Sequence, residues 1–270
     1  MRPAGIRAMV LPRMRRLAAL ALLPLLACAS SRVSMTGDVQ YGKSAEEDYK
    51  FGLDELQHQS YTDAGKFLDH VKAKYPFSKY AALADLRLAD IKYEQEKYIE
   101  AADAYDNFLK LHPTHEEADY AQFRAAEARF KDAPGDFFLF PPSYEKDRRQ
   151  LVTAIGSLEQ FLKDRSGSKY RDDAQKLVLL GKGRLADYEF YVGDFYWKRE
   201  RWPGAAGRFE RMVKQFPGAP QEPEALYRLA LCYLRMDERF RAQQALQRLV
   251  ARHPDDPRRR EAEKLLAGLR

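Results

Sequence analysis

The chain has 270 residues, 45% hydrophobic and 32% charged, which suits one long or two short packed domains and excludes wholesale disorder. Its formal charge of +6 is misleading, because residues 1–27 hold five arginines and no lysine, aspartate or glutamate. Without them 41 basic residues face 40 acidic ones, and a nearly neutral body removes the electrostatic basis for nucleic-acid binding.

The N-terminus reads as an export signal. Arg13, Arg15 and Arg16 precede an apolar run from Leu17 to Leu26, which is too short to span a bilayer comfortably. Ala27 then stands before Cys28, a small residue ahead of one of only two cysteines. That arrangement resembles a bacterial lipobox, which implies cleavage after residue 27 and a lipid on Cys28. The other reading is an ordinary signal peptide with a chance cysteine. Met14 offers an alternative start, and a twin-arginine export route is a weaker alternative. Residues 28–43 are polar and aperiodic, as expected of a flexible tether.

Beyond Ser44 the chain carries a ruler. Gly52, Ala64 and Pro76 are spaced by twelve, as are Ala89, Ala101 and Pro113; Gly193, Ala205 and Pro217; and Ala230, Ala242 and Pro254. This period signifies stacked helix pairs. The small residue of the first helix and the alanine of the second mark closest approach, and bulky residues four and seven beyond the alanine fill the groove beside it. Leu68 and Val71, Tyr105 and Phe108, Phe209 and Met212, and Leu246 and Leu249 occupy those places. Ser44 with Glu47 forms a capping box for the first helix. Each proline closes a second helix.

A third repeat is concealed. Ala126 follows Ala89 by 37, the same interval that separates Ala89 from Gly52, and Ala154 with Leu158, Phe161 and Ser166 completes it after 16 inserted residues. The insertion includes the apolar run Phe137–Pro142, which either folds back over the repeats or docks a partner or membrane surface. Between Ser166 and Gly193 the chain is 14 residues longer than elsewhere, which predicts one long helix over 171–198, bent near Gly181 and Gly183. A last amphipathic helix, with Arg258, Arg259, Arg260, Glu261 and Lys264 outward, caps the end. The expected fold is therefore all-α, a right-handed solenoid of five tetratricopeptide repeats over 44–270, with an insertion in repeat three and a capping C-terminal helix.

These features together resemble the BamD family of outer-membrane assembly lipoproteins. Tyr75-Pro76-Phe77-Ser78 with Tyr80 matches that family's Arg-Tyr-Pro-Phe-x-x-Tyr stretch, with Lys74 in place of arginine. Pro113-Thr114-His115 and Asp119-Tyr120 resemble its Asn-Pro-Thr-His and Asp-Tyr segment, with His112 for asparagine. Asp187-Tyr188-Glu189 and the stretch from Tyr196 to Trp202 resemble its fourth-repeat helix and turn, and the likeness covers about residues 44–253. It implies a lipid-anchored scaffold on the periplasmic face of the outer membrane. Partners would be a POTRA-bearing barrel subunit, other assembly lipoproteins and unfolded outer-membrane clients. Arg208 matches an arginine that the family uses at the POTRA contact, although Gly207 replaces the preceding asparagine. The N-terminal repeats would form a pocket for C-terminal targeting segments of clients. A different periplasmic repeat lipoprotein, a pilus-secretin pilotin or an envelope-division adaptor, is the alternative.

The residues support peptide capture on their own terms. Tyr49, Leu53, Leu56, Leu86, Asp90 and Tyr93 fall at first-helix positions that face a solenoid's concave side, or else pack within the repeats. No His-Glu-x-x-His, phosphate loop or Gly-x-Ser-x-Gly elbow is present, so neither catalysis nor a cofactor beyond the lipid on Cys28 is expected. His112, His115 and Glu116 are close in sequence, but helix-end and capping roles suit them better than a metal. Cys232, within an apolar stretch, is expected to be a buried thiol.

Overall fold

The computed structural model describes residues 39–133 and 148–269. Cys28 and Phe137–Pro142 lie outside them. Eleven α-helices fill the described residues: α1 Ala45–Gln57, α2 Tyr61–Lys74, α3 Lys79–Glu94, α4 Tyr98–Leu111, α5 Ala118–Asp132, α6 Arg149–Asp164, α7 Arg171–Trp197, α8 Trp202–Gln215, α9 Glu222–Arg235, α10 Arg239–Arg252 and α11 Arg259–Gly268. Each helix packs on the next in chain order, so burial is built from neighbours. None is long and apolar enough to cross a membrane.

The ruler residues are the core. Ala64, Ala101, Ala154, Ala205 and Ala242 have no exposed surface, and their bulky partners at four and seven beyond are almost fully buried. Contact is tight enough to require the small residue. A Cβ on Gly52 would lie 2.9 Å from Leu68, and one on Gly193 would lie 2.6 Å from the Phe209 ring. The Leu68 and Phe209 side chains therefore occupy the space that the glycines vacate.

Two kinds of turn alternate along the chain. Within four of the pairs, the first helix ends with a left-handed residue: Gln59, Glu96, Glu200 and Asp237 have φ between 56° and 60°. The N–H of the following residue bonds back five positions, as from Ser60 to Glu55 and from Lys97 to Lys92, which satisfies end carbonyls in a Schellman arrangement. Between pairs the second helix ends on Tyr75, His112, Arg165, Phe216 and His253, with φ from −133° to −122°. Four of these precede proline, which disfavours helical backbone in the residue ahead of it. Arg165 adopts the same conformation before Ser166.

Ser44 caps α1, accepting from the Glu47 N–H at 3.2 Å, but the Glu47 carboxylate takes the Lys43 N–H at 2.6 Å rather than closing the expected box on Ser44. The stretch predicted as tether to residue 43 is fastened from Tyr41 onward. Tyr41 stacks on His70 at 3.9 Å, and the Gly42 N–H donates to buried Asp48 at 2.6 Å. The long helix α7 runs unbroken through Gly181 and Gly183. Gly181 is a point of close approach, because a Cβ there would lie 2.7 Å from Ile155 of α6 and 3.0 Å from Phe130 of α5.

Candidate functional site

The six predicted groove residues separate into two groups. Leu86 has no exposed surface and belongs to the core between α3 and α4. Tyr49 and Asp90 are also buried, whereas Leu53, Leu56 and Tyr93 are half-buried and pack against the edges of the core.

Asp90 is the hub of a polar network that joins the first three pairs. Its carboxylate accepts from the hydroxyls of Tyr105 of α4 at 2.5 Å and Tyr120 of α5 at 2.8 Å, and from Arg87 at 2.5 Å. Three donors satisfy a buried charge that would be costly alone. Arg87 also donates to the Tyr49 hydroxyl at 3.4 Å and lies 3.8 Å from Glu117. Arg124 repeats this one pair later: it bonds Glu127 at 2.9 Å, Glu94 at 3.3 Å and the Tyr105 hydroxyl at 3.4 Å, with its guanidinium 3.5 Å from the centre of the Tyr93 ring. Burial and the adjacent Asp90 charge push the phenols of Tyr105 and Tyr120 far above their ordinary range, so both are donors. Burial opposes the charge on Arg87 and Arg124, but their anionic and phenolic partners outweigh it and raise both.

Sequence reasoning missed Arg87 and Arg124. The signal was present: both stand two residues before the small position of their helix, as do Lys50 and Arg228. Arg228 likewise finds a carboxylate, Asp194 at 2.6 Å.

A second cluster lies on α7 and α8. Glu189 is 1% exposed, and three guanidiniums converge on it: Arg148 at 2.7 Å, Arg208 at 3.2 Å and Arg211 at 3.6 Å. Arg148 also covers the Tyr188 ring at 3.8 Å. Arg208, predicted as a partner contact, is thus tied to Glu189 while about a quarter of its side chain stays exposed. Among the described residues, three guanidiniums thus share this one carboxylate.

His115 accepts the Glu117 N–H at 3.1 Å, a helix-start cap, and His112 is the closing residue of α4. Cys232 is a free, fully buried thiol, and burial pushes its pKa up to about 12.

A family model described as an outer membrane lipoprotein, YfiO, matches residues 42–249. The chain belongs to the YfiO family of outer-membrane lipoproteins. Within the YfiO family it is similar to the outer membrane protein assembly factor BamD of Pasteurella multocida, at 27% identity over 83% of this chain and 86% of that one. The BamD of Neisseria meningitidis serogroup B is also 27% identical, over 87% and 89% respectively. Among solved structures, the TPR2AB domain of yeast Sti1 in its pHSP90 complex aligns over 83% of this chain and 82% of that one, with TM-score 0.44 and 13% identity. The matched span of this YfiO-family chain contains both the Asp90 network and the Glu189 cluster.

Proposed function

We propose that the protein is an outer-membrane protein assembly factor that acts as a non-catalytic, lipid-anchored scaffold. The observation that carries this reading is the family match across residues 42–249, joined to relatives that bear the assembly-factor name and align over most of both chains. Stacked helix pairs suit the role, because they expose long binding surfaces on a rigid core. In this reading Cys28 bears the lipid that holds the domain at the periplasmic face of the outer membrane. The groove of α1, α3 and α5 receives client segments, with Leu53, Leu56 and Tyr93 as apolar contacts. The barrel subunit's POTRA domain docks on the Arg148, Arg208 and Arg211 cluster, whose guanidiniums suit carboxylates on a partner.

Full-length protein purified from detergent-extracted membranes is expected to bring down a POTRA-bearing barrel protein. Recovery without one sinks the reading, and a secretin or division protein in its place points to a different adaptor. Cys28→Ser is expected to abolish palmitate labelling and release the protein from membranes; persistent labelling refutes the anchor. Arg208→Ala is expected to weaken partner recovery while the fold is retained by circular dichroism.

A further inference from the structure

A stack of helix pairs leaves an open face at each end, and each face needs a cover. At the C-terminal end α11 packs on α10, with Ala262 fully buried. Among the described residues no helix precedes α1, and the cover there is the non-helical stretch from Tyr41 to Lys43. Phe67 and His70 stand three and six residues beyond Ala64. At those same positions Ser157 and Gln160 of α6, and Ala245 and Arg248 of α10, line clefts toward the preceding pair. In the first pair the Tyr41 ring fills that place. It lies flat on the His70 imidazole, 3.9 Å between centres, and edge-on to Phe67 at 5.9 Å. The Gly42 N–H donates to one oxygen of Asp48 at 2.6 Å, and the other oxygen lies 2.9 Å from His70 Nδ1. The Lys43 N–H donates to Glu47 at 2.6 Å. Asp48 and Phe67 have no exposed surface, so one buried carboxylate joins the stretch to both helices of the pair. Gly42 has to be small, because a Cβ there would lie 2.7 Å from the Glu47 Cβ. The next residue of α1, Tyr49, accepts from Arg87 at 3.4 Å, and Arg87 in turn bonds Asp90.

We propose that residues 41–43 are a releasable strap that closes the open end of the stack and links the chain leading to Cys28 to the Asp90 network. Seated, the strap locks α1 against α2 and holds Tyr49 where Arg87 reaches it. Lifted, it exposes Phe67, strips the Gly42 N–H from a buried carboxylate and frees α1 to shift. Tyr41 remains 47% exposed. A ring contact and two backbone hydrogen bonds are a hold weak enough to open locally while the rest of the stack stays folded. Tyr41 lies thirteen residues beyond Cys28, so a lipid there keeps the strap within about 45 Å of its attachment. Movement of the domain away from the bilayer then loads the strap. That last step rests on the lipid-anchor reading above, whereas the strap itself does not.

The test is amide hydrogen exchange, read by mass spectrometry, on the full-length protein in detergent. Tyr41→Ala removes the ring contact, and Gly42→Ala pushes the strap off Glu47. In either variant exchange through the strap, α1 and α2 is expected to rise roughly ten-fold. A smaller rise is expected in α3, which carries Arg87 and Asp90, and none in α8 to α10. Unchanged exchange in α1 and α2 overturns the strap. A rise shared by α8 to α10 is global destabilisation and overturns it as a local device. A rise that stops short of α3 overturns the link to Asp90. Tyr41→Phe keeps the stacked ring and is expected to match the parent; loss of protection in that variant overturns the ring as the seat. Cys28→Ser is expected to leave strap protection unchanged. Failure of the lipid anchor is read separately, as absence of palmitate labelling on the parent, and removes only the loading step.

Discussion

Gly193 carries its weight by what it lacks. With Phe209 only 2.6 Å from where a Cβ would stand, Gly193→Ala forces apart α7 and α8, and overpacking of this kind costs about 1–3 kcal/mol. Gly65 in α2 has open space at the same point, so Gly65→Ala is expected to stabilise by about 0.5–1 kcal/mol through helix propensity. Thermal unfolding of the two variants, one lower and one higher than the parent, checks both. Cys232 gives a pH test. Its folded pKa is raised, so the neutral thiol contributes stability that is full below the ordinary value of 9.0 and is lost as pH climbs to about 12. Alkylation at pH 8 is expected to label Cys232 only after denaturation, and labelling of the native protein contradicts its burial. The apolar stretch around it identified Cys232 as a core residue, and the alternation of small and bulky residues identified Gly193. The buried Asp90 hub was only half legible, because a single aspartate among apolar residues does not show which hydroxyls will reach it.

At the scale of elements, the inter-pair turn is set by position in the stack and proline merely favours it. Arg165 already holds the conformation that precedes proline in the other turns, and Ser166 occupies the proline's place on the ruler. Ser166→Pro is therefore expected to stabilise by about 0.4–1 kcal/mol by restricting the unfolded chain, read as a rise in melting temperature. The turns inside the pairs were opaque to sequence reading. Left-handed closing residues are usually glycine, but here they are Gln59, Glu96, Glu200 and Asp237. Glu96→Gly at φ 60° is expected to relieve about 0.5–1 kcal/mol of backbone strain, with a corresponding shift in the denaturation midpoint. Helix α7 shows the same limit: its length was legible, but the close approach of Gly181 to Ile155 and Phe130 was not.

For the whole molecule, polar organisation follows the repeats. Asp90 ties the first three pairs together, and Glu189 ties α7 to α8 and to the start of α6. Glu222 plays a similar part further on, with Arg248 at 2.8 Å and the Gly218 N–H at 2.6 Å on a carboxylate that is 1% exposed. Each is a buried acid that accepts from several cationic, hydroxyl or backbone N–H donors, and each joins more than one segment of the chain. Glu189→Gln leaves three arginines without their common anion. It is expected to lower stability by about 1–3 kcal/mol and to loosen the partner surface at the same time. A melting temperature unchanged by that substitution contradicts the pinning role.

The sequence by itself determined the helices, their pairing and their core, because a small residue, an alanine and a proline at fixed intervals are local demands of close packing that repeat along the chain. Only the tertiary structure decided which charges are free. An arginine looks the same in sequence whether it faces solvent or is held by a carboxylate thirty residues away. Arg87, Arg124 and Arg208 acquire their roles from neighbours that only the stacking of helices brings within reach.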